Sequence, residues 1–173
     1  KLGQVLILKE RLNICWIMII NGLISGLWLN VNKMMDLESK IQSEYKFLYD
    51  NEFINESRID NGQLFSSFNC VDYKSGLIIN FTVEKNLLSI AISTKYILES
   101  KKFNSFNKFF DFLYVLKLLN QDRDFIQLKK MVYSKAIKDH LSEIKTLFND
   151  CNVNQTVKKI NELEKEYSKI RFD

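Results

Sequence analysis

Proline is absent from this chain, glycine occurs five times, cysteine three times and histidine once. Five glycines hardly suffice to cradle a phosphate, and no phosphate loop, G-x-G-x-x-G or G-x-S-x-G pattern is found. Cys15, Cys70 and Cys151 lie far apart with neither C-x-x-C nor zinc-ligand spacing. They read as incidental thiols of a reducing compartment, with a Cys70–Cys151 disulfide left open if the domain is exported. The single His140 follows Asp139 and precedes Glu143, and the two acids share a helix face at i, i+4. No further His, Cys or carboxylate cluster joins them, so a helix-edge histidine is expected rather than a metal site. Asp60, Asp72, Asp111 and Asp122 have no partner at catalytic spacing. These scarcities predict a non-enzymatic protein without cofactor or metal; an enzyme would need a deep polar pocket around His140. The missing proline, beside seventeen asparagines, reads as AT-rich coding bias and carries no chemistry.

Charge of one sign is also scarce once its distribution is followed. Of the net +4, Lys1, Lys9, Arg11 and Lys33 against Glu10 supply +3, leaving +1 from Met34 onward. A near-neutral domain lacks the electrostatic footprint of sequence-independent nucleic-acid binding. Lys129, Lys130, Lys135, Lys138 and Lys145 make one stretch basic, but no aromatics interleave to stack bases and Asp139 and Glu143 intervene. A charged outer face is expected there, and no nucleic-acid partner.

What is present begins with an uncharged run from Leu12 to Asn32, longer than the roughly 18 apolar residues a membrane span needs. As an anchor, Ile14 to Val31 would follow Lys9 and Arg11, placing the N-terminus in the cytoplasm. Gly22 and Gly26 would then form a GxxxG pairing motif. A cleavable signal fits less well, because no small-x-small site follows before Lys33. Asn21, Ser25 and Asn30 weaken the anchor, and Met34-Met35-Asp36 opens an amphipathic helix as a soluble domain would. Residues 1–33 are therefore expected to be a membrane anchor or an upstream extension, with a buried core helix as a third reading. Residues 34–173 are expected to be a single domain.

Within that domain the periodicities predict an α+β fold: an N-terminal helix, a three-stranded antiparallel meander, then three or four helices packed on the sheet. Leu37, Ile41, Tyr45 and Leu48 form the stripe of a helix over Leu37 to Tyr49, with Asp36 as N-cap. Asn51 to Gln63 is polar and predicts a turn region anchored by Phe53 and Ile54. Period-two alternation then predicts strands at Leu64 to Tyr73, from Leu77 to Glu84 and around Leu88 to Ser93, joined by turns at Lys74-Ser75-Gly76 and Lys85-Asn86. The phenylalanine-rich segment Ser105 to Leu119 reads as a central helix. From Phe125 to Phe148 the apolar face rotates, predicting a break near Ser134 with Ser134 as the cap of the second half. Val157, Ile160, Leu163, Tyr167 and Ile170 mark a last helix.

The alternation buries one sheet face and leaves Asn80, Thr82, Glu84, Ser89 and Ser93 outward, joined by Asn69 and with Tyr73 at the rim. Such a flat polar face suits a protein partner, and these seven residues are the predicted partner-binding set.

Phe47-Leu48 with Phe53, Phe68 to Tyr73-Lys74-Ser75, Ile79-Asn80-Phe81, Leu88-Ser89-Ile90, Ile144 to Phe148 and Tyr167 to Arg171-Phe172 form a pattern of hydrophobic spacing. It resembles small, uncharacterised bacterial α+β proteins of the toxin-immunity type over Met35 to Phe172. The resemblance implies a cytoplasmic, non-enzymatic module that inhibits a partner protein by surface complementarity, and a chain start where Met35 stands. A glycine often precedes the phenylalanine at Phe53 in such proteins; Glu52 stands there in this chain. A domain at +1 lacks the acidic face by which nuclease inhibitors mimic nucleic acid, which directs the expectation away from a nuclease toxin. The alternative is a single-pass membrane protein carrying a C-terminal interaction domain.

Overall fold

The computed structural model describes residues 39, 41–60, 65–85, 87–103 and 108–172, and of residues 57–60, 65 and 170–172 only the main chain. The run Leu12 to Asn32 and the expected cap Asp36 lie outside the described residues. Among the described residues no helix is long and apolar enough to cross a membrane. Gln42–Asp173 forms one compact unit.

Residues 41–44 are helical and lead through Tyr45 into α1 (Lys46–Asp50). Strands β1 (Ile54–Asp60), β2 (Phe65–Val71), β3 (Leu77–Glu84) and β4 (Leu87–Thr94) follow, then α2 (Lys95–Glu99) and a two-residue β5 (Phe110–Asp111). The C-terminal part contains only helices and their connections: α3 (Phe112–Leu119), α4 (Phe125–Lys129), α5 (Tyr133–Asp139), α6 (Leu141–Leu147) and α7 (Val153–Phe172). The strands stand in chain order in one antiparallel sheet.

The mixed α+β class is as expected, but the sheet has five strands and not three. The polar stretch expected as a turn region contains β1. Its sequence is charged because it is an edge strand, where polar residues and bulges discourage pairing with other chains. A bulge does interrupt it, as the pairing steps from Asn55↔Cys70 to Ser57↔Asn69. At the other side, Phe110 and Asp111 pair with Ile92 and Ala91, so the phenylalanine-rich helix starts only at Phe112. Asp111 supplies the stop: its carboxylate accepts the Leu113 N–H at 2.8 Å and caps α3.

The core lies between one sheet face and the helices. Phe68, Cys70, Ile79, Phe81, Ile90 and Ile92 are buried on that face, with Phe112, Val115, Leu116, Leu128, Ile137, Ile144 and Val153 among the buried helical residues. Phe81 is the aromatic hub: Tyr45 meets it edge-on at 4.8 Å and Phe68 stacks on it at 5.4 Å. The expected break in the long helical stretch occurs twice. The first falls at residues 130–132, before α5, whose N-cap is Val132 with no side-chain cap; Ser134 lies within the first turn and does not cap. The second falls at His140, which ends α5 and begins α6 with φ −111°.

Glu52, just before Phe53, has φ +67°. Glycine adopts that left-handed conformation without strain and other residues adopt it at some cost. Here the Glu52 carboxylate is paired with Lys74 in the turn between β2 and β3.

Candidate protein-binding surface

On the sheet face away from the core, the register places Ser67 opposite Thr82, Asn69 opposite Asn80, Thr82 opposite Ser89, and Asn80 opposite Ala91. The Asn80 amide is the centre of a polar ladder. Its nitrogen donates to Asn69 Oδ1 at 2.8 Å and to Ser67 Oγ at 2.9 Å, while its oxygen accepts the Thr82 hydroxyl at 2.8 Å. Ser89 Oγ donates to the Thr82 carbonyl at 3.3 Å. Asn69, Asn80 and Thr82 are half-buried, Ser89 and Glu84 exposed, and Ser67 buried. The ladder is neutral, fixed on three central strands, and both amide protons of Asn80 are used inside it.

Replacing Asn80 with alanine is expected to cost about 1–2 kcal/mol, because Ser67, Asn69 and Thr82 lose their shared partner. Urea unfolding measures it; a change below about 0.5 kcal/mol would mean that water replaces the amide freely.

The seven expected residues do not form one patch. Asn69, Asn80, Thr82 and Ser89 come together, with Glu84 at the end of β3. Ser93 does not belong: it is fully buried, and its hydroxyl donates to the Lys108 carbonyl at 2.5 Å. Val71 and Ile78 on the same face are also buried, and Lys108, in the excursion between β4 and β5, meets Ser93 at this end. Within it, Thr94 caps α2 by accepting the Ile97 N–H at 3.2 Å, and Lys108 Nζ binds the Leu98 carbonyl. Ser67 is the residue that sequence reasoning missed, although counting back by two from Asn69 would have found it.

Tyr73 lies beyond the end of β2 and is 51% exposed. Its hydroxyl donates to Glu56, which raises its pKa, and Lys95 Nζ sits 3.7 Å from the ring centre. It belongs to a surface cluster of its own at the rim.

Compared with protein-family models, with curated proteins and with solved structures, the chain finds no match.

The turn next to Tyr73 is held from inside. Asp72 accepts the Lys74 N–H at 2.9 Å and the Ser75 hydroxyl at 2.7 Å, and its Oδ2 lies 2.8 Å from Lys145 Nζ on α6. Burial pushes this carboxyl up, but hydrogen bonds from Lys145, Ser75 and the Lys74 N–H, with the charge of Lys145, outweigh it and leave the pKa below the usual value. Lys145, expected on a solvated basic face, is instead an internal tie, with its ammonium 5.3 Å from the centre of the Phe53 ring.

The His140 side chain is 26% exposed, with Nδ1 at 3.0 Å from Glu143 Oε2. Among the described residues no three His, Cys, Asp or Glu side chains gather as a metal site.

Proposed function

We propose that this chain is a non-enzymatic protein-binding module, working in the cytoplasm in the manner of the toxin-immunity proteins whose hydrophobic spacing it resembles. The observation that carries the reading is the ladder centred on Asn80. Neutral donors and acceptors held on adjacent paired strands form a surface that binds without ordering loops or long side chains, which lowers the entropic cost of association. Asn69, Thr82 and Ser89 offer the partner-facing edge of this surface, with Glu84 at its margin. The near-neutral charge of residues 34–173 favours a partner matched by shape and hydrogen bonding rather than by strong opposite charge.

The test uses Ser89→Arg, a substitution at an exposed position that leaves the Asn80 hydrogen bonds in place. A protein retained by the immobilised parent chain from a lysate of the source cells is expected to fall at least about tenfold with Ser89→Arg. Retention should be unchanged with Lys158→Glu on the exposed side of α7. Equal retention by all three chains would sink the sheet-face reading.

A further inference from the structure

A groove of about 340 Å³ opens between the turn preceding α4 and the helix α5, and its lining includes Arg123, Met131, Val132, Lys135, Asp139 and His140. The turn carrying Arg123 is rigidly braced. Lys117 Nζ donates to the carbonyls of Gln121 and Arg123, both at 2.7 Å, and the Arg123 N–H reaches the Asn120 carbonyl at 3.1 Å. Asp124, next in the chain, commits its carboxylate to the Gln127 N–H in the capping box of α4. The Arg123 guanidinium lies 3.4 Å from Met131 Sδ. Among the described residues neither Arg123 nor Lys135 is ion-paired with a carboxylate.

Two cations, Arg123 and Lys135, and one carboxylate, Asp139, line this groove. Between Arg123 and Lys138 the exposed cations Arg123, Lys129, Lys130, Lys135 and Lys138 are opposed by Asp124 alone. Apolar surface is exposed within the groove, with Val132 at 67%. Asp139 closes the far side of the groove and disfavours a continuous polyanion such as a nucleic-acid backbone. A concave site of this size also admits a chain segment better than a flat bilayer.

We infer that the groove docks a short segment of a partner protein in which acidic and apolar residues alternate. A carboxylate reaches Arg123 and Lys135, and the adjacent apolar side chain lies on Met131 and Val132. The inference rests on the partner being a protein, as proposed above, but not on the sheet face receiving it.

The probe is a fluorescein-labelled peptide alternating glutamate and leucine, titrated with the full chain and followed by anisotropy. Saturable binding is expected, weakened at least about tenfold by Arg123→Glu and by Lys135→Glu, and less than about twofold by Lys158→Glu. Ser89→Arg should leave it unchanged, so failure of this site and failure of the sheet face are separate results. No saturable binding, or equal weakening by Lys158→Glu, overturns the inference. So does binding of phosphatidylserine-containing vesicles or of a single-stranded oligonucleotide with the same sensitivity to Arg123→Glu and Lys135→Glu.

Discussion

Asp72→Ala is expected to remove about 2–3 kcal/mol of folding stability. Breaking a fully buried ion pair from one side costs about 3–5 kcal/mol. The lower figure applies because the Lys145 side chain is 31% exposed while that of Asp72 is only 3% exposed, so water can reach the abandoned cation. The Lys74 N–H and the Ser75 hydroxyl lose their acceptor as well. Asp72→Asn keeps an acceptor for those two groups but not the charge, and should fall between the parent and Asp72→Ala in urea unfolding. The same carboxylate sets an acid response. Its pKa is depressed in the folded chain from an ordinary 3.8, so its stabilisation is fully present above that value and is lost as pH falls through the depressed value. Asp72→Ala should therefore show a flatter loss of stability with acid than the parent. Parallel acid profiles for parent and variant would remove Asp72 from this role.

Phe81→Ala is expected to cost about 3–5 kcal/mol, the largest effect of any single substitution named here. Phe81 is fully buried, and its removal deprives Tyr45 and Phe68 of the ring that each packs against. The cavity would open in the central strand, whose ends are pinned by pairing on both sides, so collapse around it is limited. Phe81→Leu keeps most of the volume and should cost about 1–1.5 kcal/mol. Urea unfolding separates the two, and a similar cost for both would mean that the ring contacts contribute little beyond apolar burial. Asn80 and Thr82 flank Phe81 and point to the opposite face, so loss of the ring also loosens the scaffold of the polar ladder.

Strands β2, β3 and β4 were legible because one face is buried and the joining turns are short, which leaves a clean period of two. Strand β1 was not, since an edge strand needs no such alternation and its charged residues look like loop. Strand β5 and α3 together form one apolar run, and periodicity alone cannot divide a two-residue strand from the helix it precedes. The candidate surface was legible at Asn69, Asn80, Thr82 and Ser89 for the same reason as the strands. Ser93 was misplaced because its partner, the Lys108 carbonyl, comes from beyond the strand, and alternation within a strand says nothing about what folds over its far end. The partnership of Asp72 with Lys145 was equally hidden, since the two residues belong to distant parts of the chain with no shared local pattern.

The sequential order of the strands also bears on how the chain reaches its fold. From β1 to β4 every pairing joins chain neighbours across a short connection, so each hairpin closes at a small entropic penalty and can template the next. The pairing of β5 with β4 must wait for the longer excursion through α2 to return. The tie between Asp72 and Lys145 forms only when the hairpin and the helical half meet. Assembly thus favours a sheet that zips from its hairpins, with the helices docking onto a ready-made apolar face and the turn at Asp72 locked last.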